Sequence, residues 1–335
     1  MNNLKKIVSL FVMSLLILVL AACGSKSQKD VVSDLNDMLD EMSGYKAEAT
    51  MTLQTGEKPL SYNIDIWHKK PSFYKVSLKN PEKDQSQMIL RNSEGVFVLT
   101  PALNKSFRFQ SEWPENSSQV YLMESLISDI INDDDRTFKS GEKGYVFNTK
   151  TNYQNKNLYQ QEITLDKENL LPTSVKVMDK DLKVLVEVKF KKKKMNAKFD
   201  DGAFDMEKNM QGAKLEVPTM AKEQQELTVV YPEFVPAGTT LFNQTASKKG
   251  DQAILSYTGD HSFTIIQRQA EVAPASKMLT MRKGEVVNLG YAIGIMKDKT
   301  LTWSVGGVEY YLASNDLSEE QMVSVASSMT MMQGK

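Results

Sequence analysis

The sequence predicts an α+β protein, mainly antiparallel β: a curved sheet roofed by helices, followed by a small C-terminal α+β domain. Three observations carry this. From Tyr45 onward apolar and polar residues alternate with the period of two that marks a half-buried strand. Residues 31–42, just before that region, and 120–131, within it, switch to helical spacing. A polar stretch at 218–230, opened by Pro218 and rich in Glu, Gln and Lys, then reads as a linker to a second series of strand and turn signals. The units expected are therefore 30–217 and 231–335.

Composition agrees with two cores. The chain has 335 residues, 41% hydrophobic and 25% charged, ordinary values for a globular protein. Its 41 Lys and Arg against 42 Asp and Glu give a net charge of −1, which implies no nucleic-acid partner.

The N-terminus gives an address. Lys5 and Lys6 lead into an apolar run at 7–20, within the range of a signal h-region and short of the roughly 20 residues that span a bilayer. Leu20-Ala21-Ala22-Cys23 follows at once, and it resembles the lipobox of bacterial lipoproteins, in which a peptidase cuts before a cysteine carrying diacylglycerol. The resemblance implies that 1–22 is a signal peptide and that Cys23, the chain's only cysteine, becomes the lipidated first residue. Residues 23–29 would then be a tether, and acyl chains such as palmitate would hold the protein on the outer face of the cell membrane. An acylated Cys23 leaves no disulfide, so stability must come from burial and strand pairing.

Taken in order, Val31, Val32, Leu35, Met38, Leu39 and Met42 form one face of a first helix, with Gly44 placed for a left-handed C-cap. Strands follow at 45–53, 62–68, 73–78, 87–91, 96–100 and 106–109. The alternation assigns Met51, Ile64, Ile66, Tyr74, Val76, Met88, Leu90, Phe97 and Leu99 to the inner face, beneath a lid helix at 120–131 that presents Leu122 and Leu126. The acidic run at 132–135 lacks the ligand spacing of a calcium loop and reads as a solvated helix end. Further strands fall at 145–149, 158–165, 171–178 and 183–191. Lys189 and the run 191–194 suit either a lysine-guarded strand edge or a face toward anionic lipid. Several of the 19 methionines fall on inner faces, where they could fill a core or accept a flexible chain.

Read together, "YKAEATMTL", "YNIDIWHKKPSFYKVSL", "GVFVLTPALNKSFRF", "VYLMESLISDI" and "NAKFDDGAFDMEKNMQGAKLEV" resemble the LolA-like lipoprotein-carrier superfamily, which includes the N-terminal domain of RseB. The wording is nearer still to the YdcC-type sporulation lipoproteins of bacilli, akin to clostridial GerS. The resemblance covers 30–217 and implies a LolA-like open half-barrel with a helical lid, an acyl-receiving concave face and a Gram-positive spore former. Residues 231–335 are similar to the small C-terminal domain of RseB-like proteins, which implies a membrane-protein partner. There Val305-Gly306-Gly307 signals a hairpin, and Ser318 with Gln321 a capping box for a helix presenting Met322, Val325 and Met329.

Catalytic patterns are missing. His68 and His261 are the only histidines, no H-E-x-x-H or G-x-S-x-G occurs, and the S-x-x-K matches at 43–46 and 72–75 lack their companion motifs. No enzyme activity, metal or cofactor is expected. Two readings compete: a membrane-tethered binder of an acyl chain, lipid or lipoprotein, and a ligand-free scaffold or sensor acting through protein contacts with a membrane partner in sporulation or envelope-stress signalling. A hollow half-barrel would favour the first, and a filled one with apolar surface outside would favour the second.

Overall fold

Helix α1 (Gln28–Glu41) starts where Ser27 supplies a cap: its hydroxyl accepts from the Asp30 amide, and the Asp30 carboxylate accepts from the Ser27 amide at 3.1 Å. In this computed structural model the described residues are 26–54, 59–81, 85–109, 111–115, 118–216, 227–272, 279–281 and 284–329. The period-two segments that follow α1 become β1 (Gly44–Leu53), β2 (Leu60–Lys69), β3 (Phe73–Asn80), β4 (Gln85–Asn92), β5 (Gly95–Thr100) and β6 (Lys105–Phe109). Helix α2 (Met123–Asn132) comes next, then β7 (Thr137–Ser140), β8 (Tyr145–Lys150), β9 (Gln160–Leu165), β10 (Pro172–Met178) and β11 (Val184–Met195). Helix α3 (Met206–Glu216) closes the first unit.

The second unit contains β12 (Thr239–Ala246), β13 (Gln252–Gly259), β14 (Phe263–Gln269), β15 (Leu279–Met281), β16 (Glu285–Asn288), β17 (Ile293–Lys297), β18 (Thr300–Val305), β19 (Val308–Ala313) and helix α4 (Glu319–Ser327). Its end follows the sequence signals. Gly306 and Gly307, at φ of 63° and 72°, turn β18 into β19, and Ser318 with Gln321 forms the capping box that starts α4. Met322, Val325 and Met329 are buried from that helix and the residues just after it.

The strands make two sheets, ordered β15-β6-β5-β4-β3-β2-β1-β11-β10-β9-β8-β7 and β12-β13-β14-β19-β18-β17-β16. The fold class is the expected one, mainly antiparallel and open. Two local expectations change. Gly44 does not cap α1: it opens β1 at φ 149°, where an added Cβ would sit 2.3 Å from the His68 carbonyl oxygen, so the close approach of β2 is what requires it. Lys189 guards no edge, because it lies between Thr50 of β1 and Ser174 of β10, whereas Lys192, Lys193 and Lys194 run past the end of β10 and pair with β1 alone.

The two units share one apolar core. Strand β15 adds to the first sheet in parallel to β6. Gln87 of β4 donates to the Ser304 carbonyl at 3.1 Å and accepts from the Ile293 amide at 2.9 Å. Lys105 meets Glu309 at 2.6 Å, and Asn288 donates to Gln119 at 3.1 Å. Val230, expected at the end of a linker, is buried and exchanges hydrogen bonds with the Gln267 side chain.

Candidate functional site

The lipobox residues Leu20, Ala21 and Ala22 and the attachment residue Cys23 lie outside the described residues. The predicted apolar lining splits in two. Val76 stands opposite Ile66 on one side and Ile89 on the other, so these three share a face, and Met88 and Leu90 point to the opposite one. Met51, Ile64, Ile66, Tyr74, Val76, Leu122 and Leu126 therefore belong to the inner core, with α1, α2 and the second unit. Met88, Leu90, Phe97 and Leu99 form a separate cluster with Phe204, Met206 and Met210 beneath α3. Placing those four in one lining with Ile66 is corrected by this register. Strands β4 and β5 are apolar on both faces because both faces are covered, a case in which alternation carries no direction. Helix α3 was not anticipated, although Met206, Met210 and Ala213 have helical spacing and the Asp205 carboxylate accepts from the Lys208 amide at its start.

The concave face is filled. Ile66, Val76, Leu122 and Leu126 have no accessible surface, which leaves no water-sized void against them. Residues 288–291 of the second unit close the mouth, and small cavities of about 30, 60 and 90 Å³ remain along that seam, far below the several hundred Å³ typical of a ligand pocket. Under α2 sits a polar knot. The Tyr45 hydroxyl accepts from the Met123 amide at 3.1 Å, replacing the side-chain cap that Leu122 cannot provide, and donates to Glu124 at 2.6 Å. His68, 2% exposed, stacks on Tyr74 with centroids 4.4 Å apart, and its Nδ1 lies 3.2 Å from the Phe73 carbonyl. Burial pushes the His68 pKa down, against the opposing pull of Glu124, while burial first and Glu124 second raise Tyr45 and Tyr74. These groups hold the lid in place, with His68 and Tyr74 buried at 2% and 5% exposure.

A real concavity exists on the other side of the same strands. A cleft of about 590 Å³ has the outer face of β1–β4 and β11 as its floor and α3 as a wall. Along one row, Lys194, Lys46, Trp67 and Lys75 stand opposite one another across four strands. The ammonium groups of Lys46 and Lys75 lie 4.1 Å and 3.3 Å from the Trp67 ring centroid. In the next row Lys192 pairs with Glu48 at 2.9 Å. Sequence reasoning met these lysines as a basic run and as alternate outward positions, without bringing them together.

Among the described residues no cluster of His, Cys, Asp and Glu is arranged to hold a metal ion, and no helix is long and apolar enough to cross a membrane. Fold and site together define the class: an open, two-sheet antiparallel protein with a packed concave face and a basic cleft behind it. The chain belongs, more particularly, to the YdcC-like sporulation protein family, whose model matches residues 4–204. It is 52% identical to sporulation protein YdcC of Bacillus subtilis over 328 residues, covering 97% of each chain. Solved structures similar to it include the Pseudomonas aeruginosa MucA/MucB complex, at a TM-score of 0.34 and 18% identity over 89% of this chain and 97% of that one. A chain of the Clostridioides difficile CwlD amidase complex with the GerS lipoprotein is similar at 0.30 and 18%, over 53% and 98%.

Proposed function

We propose that this member of a sporulation family is an extracytoplasmic lipoprotein, anchored to the outer face of the membrane through diacylglyceryl-Cys23, that works without catalysis and through protein contacts. The observation that carries the reading is the filled concave face: a carrier needs room for an acyl chain, and Ile66, Val76, Leu122 and Leu126 leave none. Apolar surface is found outside instead. Among the described residues edge strand β12 pairs only with β13; it has no charged residue and exposes Leu241 at 42% and Phe242 at 74%, the latter at an irregularity in the ladder. An unguarded edge with exposed apolar side chains is a template for another chain.

The test pairs a negative with a positive. Titrating the full-length protein with a fluorescent long-chain fatty acid should give no saturable, displaceable binding up to the millimolar range. A photo-crosslinker at position 242 in sporulating cells should give one discrete protein adduct. Stoichiometric fatty-acid binding would overturn the reading, as would the absence of any adduct from position 242 and its neighbours on β12.

A further inference from the structure

We propose that the cleft between the outer sheet face and α3 binds a phosphate-bearing anionic ligand, a phosphodiester of the kind found in anionic lipid headgroups and in glycerol-phosphate polymers. The first argument is charge. Six lysines and two carboxylates line the cleft in a chain whose net charge is −1, Lys193 being turned to the opposite face, where it donates to the Pro172 carbonyl at 3.2 Å, so positive charge has been gathered here rather than spread. Register makes the gathering unfavourable in the free protein. Lys46 faces Lys194 directly across β1 and β11, and like charges so placed destabilise a sheet. Such an arrangement is relieved by a bound anion.

Shape and chemistry narrow the class. A volume of about 590 Å³ is far more than one carboxylate needs and suits a headgroup with its carbon skeleton. No arginine is found among the described lining residues, so an anion here would be met by lysine ammoniums, compact point charges that bind phosphate oxygens without a two-point fork. Trp67 holds Lys46 and Lys75 over its ring, while Met88, Pro101 and Ala213 offer apolar contact for glycerol or sugar carbons.

Gly212 provides the decisive variant. It lines the cleft from α3, and a Cβ added there meets nothing within 4 Å, so Gly212→Glu places a carboxylate among the lysines without a clash and with better helix propensity. Full-length protein in detergent is titrated calorimetrically with poly(glycerol phosphate), with poly-glutamate as the carboxylate control. Separately, partition onto phosphatidylglycerol vesicles is compared with partition onto phosphatidylcholine vesicles. The anchor is common to every arm, so only differences count. Wild type should bind the phosphodiester polymer, prefer phosphatidylglycerol, or both. Gly212→Glu, and Lys46→Gln combined with Lys194→Gln, should weaken that binding at least tenfold while melting no lower than wild type. Preference for the polymer identifies a free source of the phosphodiester, and preference for the vesicle a lipid one. Binding of neither, equal affinity in Gly212→Glu, or poly-glutamate bound as tightly as the phosphodiester overturns the proposal. None of these results bears on the fatty-acid and crosslinking test, which probes the other face of the sheet and the second unit.

Discussion

Replacing Ile66 with tryptophan separates a packed half-barrel from a hollow one. Ile66 has no accessible surface and stands between Ala47 on β1 and Val76 on β3, with Ile64 two residues away on the same face. A larger side chain forced into such a site costs about 1 to 3 kcal/mol in displaced neighbours. The indole N–H, entering an aliphatic neighbourhood without an acceptor, adds about 1 to 3 kcal/mol. The combined loss is on the order of 2 to 6 kcal/mol, a fall in melting temperature of roughly 5 to 15 °C for a core of this size. Thermal and guanidinium unfolding, followed by circular dichroism with a fatty-acid probe present and absent, measure it. The expected result is a large destabilisation in a protein that binds no probe before or after the change. An unchanged melting temperature, together with probe binding that Ile66→Trp abolishes, would refute the packing argument and restore the carrier reading.

Three further outcomes follow from individual groups. Cys23→Ser should abolish incorporation of labelled fatty acid and release the protein from the membrane fraction; undiminished label on the variant would refute the anchor. Burial pushes the Glu309 carboxyl up, but the hydrogen bonds and charges of Lys105, at 2.6 Å, and Arg268, at 2.8 Å, outweigh it and hold the pKa below the usual glutamate value. A lowered carboxylate pKa stabilises the fold above the unfolded value and ceases to do so as pH falls through the folded one. Glu309→Gln should therefore cost about 1 to 3 kcal/mol at pH 7, and chemical denaturation should show the gap to wild type closing as pH drops below roughly 4.5. His68 is kept neutral by burial, so the unfolded chain takes up a proton near pH 6.5 that the folded chain refuses. Wild type should lose stability from about pH 6.5 downward, and His68→Phe should flatten that slope between pH 7 and 5 whatever its effect on the level. Equal slopes in the two proteins would refute the assignment.

Much of the architecture was legible because it is local. Alternation at 45–53 and 62–68, the Gly306-Gly307 turn and the Ser318 capping box depend on neighbours a few residues apart, and each is found where the pattern put it. The failures share a different cause. Residues 88–90 and 96–99 are apolar throughout, so no period shows which side chains face α2 and which face α3, and the pairing of Val76 with Ile89 is what separates them. Gly44 read as a helix cap because glycine serves several geometries, and only the nearness of the His68 carbonyl shows which one is in force.

By itself, then, the chain determined its strands, its main helices, its antiparallel class and its family, all properties that short-range patterning and motif order encode. Whether the half-barrel is empty was decided elsewhere. Residues 288–293 come from some 200 positions further along the chain to meet Gln87 and Gln119, and no local pattern records which surface a distant segment will cover. The basic cleft has the same origin. Lys46 and Lys194 are separated by most of the first unit, and antiparallel pairing of β1 with β11 brings them face to face, since sheet register and not sequence distance sets which charges must share a volume.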